Sequence, residues 1–197
     1  MALLLDHGAW RVKRFTSSIR KSVQDGNLFG ALFLALAIPD ICGGLENPLE
    51  GVGERYKAWF RSYLNAKYDP KTQLDFAAAY SPQLAQVLPP ESLAALQIPF
   101  DPSLAFTAED CYECRCKCLH QGLLRKAGRE KFIFISGLPP GTILHRNIKN
   151  GLLVLQIELF AEDICLAAEA WEQDMRGNSA VATRATELLS ITEWFNL

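Results

Sequence analysis

The sequence predicts a mainly α-helical protein that carries a small antiparallel β-meander near residues 131–159. Two observations predict this fold class. Along most of the 197-residue chain the apolar residues recur every three or four positions, which is the spacing of helices with a buried face. From residue 131 to residue 159 the pattern changes to short apolar runs and alternation, which is typical of strands. Because 49% of the residues are hydrophobic, the chain can bury a sizeable core, and we expect one domain over residues 1–197.

The first third of the chain predicts three helices. Residues 7–24 combine apolar and basic positions at helical spacing, and Asn27 can cap the helix that follows. The apolar run at residues 28–38 predicts a buried core helix that Pro39-Asp40 closes. This run is too short to span a bilayer, which needs about 20 residues. Residues 51–65 bring four aromatic side chains together at helical intervals, a pattern that usually faces a core.

The middle of the chain predicts irregular structure followed by a well-marked helix. Six prolines punctuate residues 66–106, so we expect short helical pieces in a connecting excursion. The run Thr107-Ala-Glu-Asp110 has the form of a capping box, and Gly128 stands where a helix C-cap would. These signals predict a helix from residue 108 to residue 126 or 127.

The remainder predicts the meander and two more helices. We expect a strand at residues 131–136, a turn at Pro139-Pro140-Gly141 and a tight hairpin turn at Asn150-Gly151. His145 falls in the middle strand, where we expect it at the surface. Helical spacing returns at residues 160–175, and a last helix extends toward Trp194. The predicted organisation is therefore a helical body, residues 7–127 and 160–194, with the meander at residues 131–159.

Charge and cysteine content limit the classes of partner and compartment. A formal net charge of -2 gives no overall basic field, so contact with nucleic acid requires a local patch. The basic run after residue 116 could supply one, or it could be a solvated helix face. The apolar run at the start is too short for a secretory signal, and six cysteines in a chain of this size are expected to be reduced. We therefore expect a cytoplasmic protein with no membrane contact.

Arg115 is the residue that does not match its position. On a helical wheel Cys111, Cys114 and Cys118 share one side, and Arg115 falls inside the apolar arc that they define. A permanently charged group that faces a core needs a carboxylate, a phosphate or water. We expect either an ion pair, with Asp40 or Glu46, or a cleft that binds phosphate.

His120 is the second residue of interest, because histidine can transfer protons near neutral pH. On an ideal helix it lies about 140° around and about 7.5 Å along from Arg115. From one straight face the two side chains are therefore not expected to reach one small site. A cleft that wraps the helix, or a second copy across a two-fold axis, could bring them together.

The segment Arg115-Cys-Lys-Cys-Leu-His120, late in a helical body, resembles the Arg-x4-6-His motif of HEPN domains, the higher eukaryote and prokaryote nucleotide-binding domains. The resemblance implies an antiparallel helical bundle, a homodimer and, as in many members, a metal-independent endoribonuclease of toxin or defence type with a composite site at the dimer interface. Catalytic members commonly have Asn or Asp directly after the arginine, and here that residue is Cys116.

The resemblance assigns catalysis to Arg115 and His120, with Cys116, Lys117 and Asp40 as supporting residues. Contacts with RNA would come from a basic set, Lys117, Arg125, Lys126 and Arg129. No cofactor is expected, and the partners would be a second copy, RNA and a cognate antitoxin protein. The alternative is a HEPN-like binding or scaffold protein in which the same two residues do not cleave.

A third hypothesis is a structural zinc module built from Cys111, Cys114 and Cys118. These three cysteines share one helix face, whereas structural zinc sites normally use pairs of cysteines on turns. The simpler interpretation is that they are small, polarisable core residues.

Overall fold

The computed structural model describes residues 12–122, 131–139 and 141–188. The chain is mainly helical with a small three-stranded sheet, which confirms the predicted fold class at that level. In chain order the helices are α1 Lys13–Gln24, α2 Leu28–Glu46, α3 Val52–Tyr63, α4 Asn65–Tyr68, α5 Gln73–Tyr80, α6 Leu84–Val87, α7 Pro90–Ala95, α8 Ala108–Gln121, α9 Ile157–Asp174 and α10 Ser179–Ala185. The strands are β1 Phe132–Ile135, β2 Asn147–Lys149 and β3 Leu152–Gln156.

Helix α2 is the centre of the helical body. It packs against α1, α3, α8 and α9, and its residues are apolar on nearly every side, as expected of a helix with several neighbours. The Asn27 side chain accepts a hydrogen bond from the Gly30 amide at 3.1 Å, which confirms the predicted N-cap.

The predicted end of this helix at Pro39-Asp40 is wrong. Helix α2 continues to Glu46 and contains Pro39. Proline removes one backbone donor and normally kinks a helix. Here the Tyr56 hydroxyl donates to the Leu36 carbonyl at 3.1 Å, so a side chain from α3 supplies a donor one turn before the proline. The extension places Asp40 inside a helix, on the side that meets α3 and α8.

The same extension changes the comparison with membrane helices. With 19 residues and a mean hydropathy of 2.0, α2 is long and apolar enough to cross a membrane by length and composition. Half of it is buried among the other helices, which is what the core helix of a soluble protein shows. The test is weak evidence, and the fold is compatible with a soluble protein.

Helix α3 confirms the predicted aromatic stripe. Tyr56, Trp59 and Phe60 are buried, and the Phe60 ring lies 6.2 Å from the ring of Phe106, which also contacts β1 through Phe132. Between α3 and α8 the chain forms the expected series of short helical pieces, α4 to α7. The contacts of Phe106 with Phe60 and with Phe132 join the helical body to the sheet.

The sheet is mixed, so the predicted antiparallel meander is wrong in its topology. The strand order is β1-β3-β2, with β1 parallel and β2 antiparallel to β3. In β3 the consecutive residues Leu153, Val154 and Leu155 are all buried, so both faces of this central strand are covered, as is typical of strands that pair in parallel. The hairpin at Asn150-Gly151 is confirmed, since both residues have positive φ, 53° and 75°.

The helix after the sheet begins earlier than its sequence pattern suggests. Helix α9 starts at Ile157, directly after β3, instead of at residue 160. It packs along α2, and the indole of Trp171 donates a hydrogen bond to the Glu46 carboxylate at 3.0 Å. Helix α10 is capped by Asn178 and ends at Ala185. The predicted extension toward Trp194, like the first eleven residues, lies outside the described residues.

Candidate functional site

Helix α8 carries the predicted site residues and has defined ends. Its capping box is confirmed, because the Asp110 amide donates to the Thr107 hydroxyl at 3.1 Å and the Thr107 amide donates to the Asp110 carboxylate at 2.9 Å. The helix ends at Gln121, where Gly122 adopts a left-handed conformation with φ of 64°. The cap is therefore Gly122 and not Gly128, which lies outside the described residues.

The cysteine face of α8 fixes the rotation of the helix. Cys111, Cys114 and Cys118 are buried, and the Cys111 thiol lies 3.2 Å from the Tyr56 hydroxyl. With this face against α3, the next residues around the helix meet α2. Arg115 is therefore at the boundary between the core and the surface, with 16% of its side chain exposed.

Arg115 forms the ion pair that the sequence analysis expected, and its partner is Asp40. Arg115 Nη2 donates to Asp40 Oδ2 at 2.5 Å. The second carboxylate oxygen, Oδ1, accepts from Nη2 of Arg55 at 3.3 Å. One carboxylate of α2 thus bridges two arginines, one from α3 and one from α8. The other candidate partner, Glu46, is engaged by Trp171 instead.

Two glycines explain how Arg55 reaches this position. A Cβ atom at Gly43 would lie 2.7 Å from the Arg55 carbonyl oxygen, so the backbone of α3 requires glycine there. A Cβ atom at Gly44 would be 3.5 Å from the Arg55 guanidinium, which lies across the helix surface. The sequence analysis missed Arg55, and the Gly43-Gly44 pair in an apolar helix is the signal that could have indicated this close approach.

The three-residue cluster carries a surplus of positive charge. Asp40 neutralises one of the two arginines and leaves the other uncompensated. Burial lowers the pKa of Arg115, but the charge of Asp40 and hydrogen bonds to its neighbours more than offset this, so the pKa is raised. The Nε atoms of Arg55 and Arg115 are buried without a hydrogen-bond partner among the described residues. Such donors are suited to an anion.

His120 completes the cluster at the surface. Its Nε2 atom lies 3.4 Å from Nη1 of Arg115, so the expectation that the two side chains cannot reach one site is wrong. The long arginine side chain spans the angular difference that an ideal wheel predicts. Arginine can only donate, so Nε2 accepts in this contact when the ring carries its proton on Nδ1. His120 is exposed, as predicted.

Two of the predicted supporting residues, Cys116 and Lys117, contact other residues of α8. Cys116 is half-buried, and its hydrogen bond to Tyr112 raises the pKa of that tyrosine. Lys117 forms an ion pair with Glu113 on its own helix, which occupies the ammonium group. The other basic residues proposed for RNA, Arg125, Lys126 and Arg129, lie outside the described residues.

The cysteines offer little to a zinc ion. Among residues 12–122, 131–139 and 141–188, no group of three or more histidine, cysteine or acidic side chains is arranged to hold a metal. Burial raises the pKa of Cys111 to about 12 and raises that of Cys114 as well. The burial of these cysteines is that of small core residues.

A second polar cluster lies in the interior, and the sequence analysis misplaced its histidine. His145 precedes β2, and only 4% of its side chain is exposed, so its assignment to a surface strand is wrong. The backbone amide of Gln156 donates to Nδ1 of His145 at 3.0 Å, and Nε2 contacts the Tyr68 hydroxyl at 3.0 Å. That hydroxyl in turn donates to Asp163 at 3.0 Å, and Lys67 donates to the same carboxylate at 2.6 Å. Burial lowers the pKa of His145 to about 4.

Arg146 anchors this interior cluster. Only 7% of the residue is exposed, and its guanidinium carbon lies 4.6 Å from the ring centroid of Phe76. It also faces the rings of Tyr68 and Phe100, and Nη2 donates to the Leu104 carbonyl at 2.9 Å. The residue has a positive φ of 59°. These contacts tie the sheet to the short helices.

Comparison of the chain with family models, with curated proteins and with solved structures found no match. The evidence for function is therefore the geometry of the cluster of Asp40, Arg55, Arg115 and His120.

Proposed function

We propose that the chain is a HEPN-like endoribonuclease that needs no metal ion and whose working groups are Arg115 and His120. The observation that carries the proposal is the 3.4 Å contact between the Arg115 guanidinium and Nε2 of His120 at the protein surface. A fixed cation and an imidazole at this separation can act on the same phosphate and its neighbouring ribose. The mainly helical body is compatible with the antiparallel bundle of that family.

The proposed reaction uses the ribose 2′-hydroxyl as nucleophile. His120 accepts the 2′-hydroxyl proton on Nε2, and the 2′-oxygen forms a bond to phosphorus. Arg115 stabilises the negative charge that develops on the non-bridging oxygens. The bond from phosphorus to the 5′-oxygen then breaks, and that oxygen leaves with a proton from an acid or from water. The products are a 2′,3′-cyclic phosphate and a 5′-hydroxyl, and DNA is resistant because it lacks the nucleophile.

A homodimer is part of this proposal. His120 and the outer edge of α8 are exposed, so a second copy across a two-fold axis could place its own pair against the same phosphate. Such a composite site would supply the acid for the leaving oxygen from the second histidine. An RNA substrate and a protein antitoxin are the partners that this type of enzyme would have.

The second candidate function is a HEPN-like binding or scaffold protein that does not cleave. The specific observation in its favour is the ion pair of Arg115 with Asp40, because a carboxylate already engages the group that would stabilise the phosphate. Cys116 after the arginine, where catalytic members commonly have Asn or Asp, also favours it. In this alternative the cluster binds a phosphate-bearing ligand or holds α2, α3 and α8 together.

Incubation of a mixed RNA pool with purified protein in EDTA distinguishes the two. The matched variants are His120→Ala and Gln121→Ala, which truncate two neighbouring exposed side chains at the end of α8. The nuclease proposal expects cleavage by wild type and by Gln121→Ala, products with 2′,3′-cyclic phosphate ends, and loss of both in His120→Ala. Intact RNA with folded wild-type protein at high concentration would instead support the binding or scaffold function.

A further inference from the structure

The two arginines contact Asp40 in a pattern that resembles their recognition of a phosphodiester. Each oxygen of the carboxylate accepts from a different guanidinium, Oδ2 from Arg115 and Oδ1 from Arg55. A phosphodiester group also carries one negative charge and two equivalent oxygens. Arginine suits both groups because its planar donors match their geometry. The carboxylate of Asp40 therefore presents the two arginines with a charge and a pair of acceptors like those of a phosphodiester.

The environment makes this exchange feasible. About a fifth of the side chain is exposed for Asp40 and for Arg55, and somewhat less for Arg115, so the cluster borders solvent. Its surplus positive charge and the two unpaired Nε donors remain after Asp40 is counted. Close packing at Gly43 fixes the backbone of Arg55, and its guanidinium lies against Gly44, so Arg55 remains next to the site when the carboxylate moves.

We propose that Arg55 is a second phosphate-binding residue of the site and that Asp40 is an internal competitor that RNA phosphate displaces. This inference rests on the proposed function, since it concerns the same site. It also reconciles the ion pair of Arg115 with Asp40 and the contact of Arg115 with His120. The ion pair is the resting state, and contact with phosphate replaces it. His120, which contacts Arg115 but not Asp40 in this structure, then lies next to the displaced position.

The control is an arginine and carboxylate pair between α3 and α8. Arg61 pairs with Glu109, and both side chains are about half exposed. Arg61→Gln makes the same charge change on α3 as Arg55→Gln, and Glu109→Gln removes one carboxylate charge, as Asp40→Asn does, at the end of α8 away from His120. Any effect of Asp40→Asn or Arg55→Gln beyond these controls belongs to the site.

The experiment measures the affinity of a fluorescein-labelled 2′-O-methyl oligoribonucleotide by anisotropy across a salt series in EDTA. This probe carries phosphates but lacks the nucleophile, so binding is separated from cleavage. Asp40→Asn should bind at least about threefold more tightly than wild type, because the competing carboxylate has lost its charge. Arg55→Gln should bind roughly five- to tenfold more weakly, with a salt slope reduced by about 0.7 for one lost phosphate contact.

Each result bears on a defined claim. If wild type binds RNA while Asp40→Asn and Arg55→Gln behave like Glu109→Gln and Arg61→Gln, the inference is overturned and the proposed function stands. If no variant binds RNA, the proposed function fails and the inference fails with it. Circular dichroism checks folding. If Asp40→Asn does not fold, Arg55→Gln decides alone, and unchanged affinity in that variant overturns the inference.

Discussion

His120 and His145 each contact a polar side chain, yet their surroundings are opposite. His145 is buried, both ring nitrogens have partners at 3.0 Å, and its neighbours include the anion Asp163 with its own cation Lys67. His120 is exposed, has one long contact among the described residues, to Arg115, and borders a cluster in which two cations share one carboxylate. Both ring nitrogens of His145 have partners, and the nearby Arg146, whose Nε and Nη1 have no hydrogen-bond partner among the described residues, is enclosed by aromatic rings. The unpaired Nε donors of Arg55 and Arg115 instead lie near the surface, beside His120.

The difference indicates what each histidine does. A buried network with matched partners stabilises the fold, and the loss of one member leaves the others unsatisfied. An exposed group beside unpaired donors contributes little to folding and is available to a ligand. We therefore expect substitution of His145 to reduce the stability of the fold and substitution of His120 to reduce function.

The largest expected effect is on stability, in His145→Ala. The substitution leaves the Gln156 backbone amide without its partner, removes one of the two partners of the Tyr68 hydroxyl and creates a cavity. We expect the free energy of unfolding to fall by roughly 2–4 kcal/mol. Urea titration followed by circular dichroism measures it. A loss no larger than that of His120→Ala would show that the interior network does not stabilise the fold.

The second prediction concerns the pH dependence of stability, which should reflect the protonation of His145. Its pKa is about 4 in the folded chain because of burial, and about 6.5 in an unfolded chain. Asp163 acts to raise this pKa, and Arg146 and Lys67 act to lower it. As the pH falls below about 6.5, the unfolded chain takes up the proton first, so stability is complete above that pH and decreases toward pH 4.

The expected loss across this window is roughly 3 kcal/mol. Urea titrations at neutral pH and at several values down to pH 4 measure it. His145→Gln should lose most of this dependence and His120→Ala should retain it. A profile that is the same in wild type and in His145→Gln would contradict the assignment to His145.

Tyr68→Phe should have a smaller effect of about 1–2 kcal/mol on unfolding, because it removes one hydroxyl and keeps the buried ring. The hydroxyl links His145 to Asp163, and both lose a partner. The same urea assay measures the loss. Since Tyr63 has a ring at the edge of the helical body that is only partly buried, Tyr63→Phe is a suitable comparison. Equal losses in the two variants would argue against a special role of the network.

The Arg115 and Asp40 ion pair should contribute less still. A double-mutant cycle with Arg115→Gln and Asp40→Asn should give a coupling free energy of roughly 1 kcal/mol. The pair is partly exposed, which weakens it, and Arg55 remains as a second partner of Asp40. Urea titration of the four proteins provides the cycle. A coupling free energy near zero would mean that the two side chains do not interact in solution.

His120→Ala should have the smallest effect on unfolding, within about 0.5 kcal/mol of wild type, because the side chain is exposed and has one long contact. The same titration measures it, with Gln121→Ala as the control. A loss comparable to that of His145→Ala would place His120 among the structural residues and remove the contrast between the two clusters.

Periodicity predicted the parts of the molecule that depend on local pattern. It identified the helix of Arg115, the capping box at its start and the mismatch of a charge in an apolar arc, so an ion pair to Asp40 could be expected. It could not show Arg55, because one arginine among several on an amphipathic helix looks like a surface residue. Its role depends on the packing of α3 against Gly43, which is a contact between distant segments.

The errors have the same origin. Helix α2 continues through Pro39, and the Tyr56 hydroxyl of α3 donates to the Leu36 carbonyl beside it, a contact with a neighbouring helix that local sequence rules cannot include. Strand β1 pairs in parallel with β3 because β3 is buried on both faces, which depends on the helices around it. His145 is buried because the chain folds its loop against Tyr68. In each case tertiary contacts decided between alternatives that the local sequence left open.

The most direct test of the central claim is the comparison of RNA cleavage in EDTA by wild type, His120→Ala and Gln121→Ala, each confirmed as folded. We predict 2′,3′-cyclic phosphate products from wild type and Gln121→Ala and intact RNA with His120→Ala. Cleavage by His120→Ala at the wild-type rate, or no cleavage by wild type, would contradict the claim that the surface cluster is a ribonuclease site.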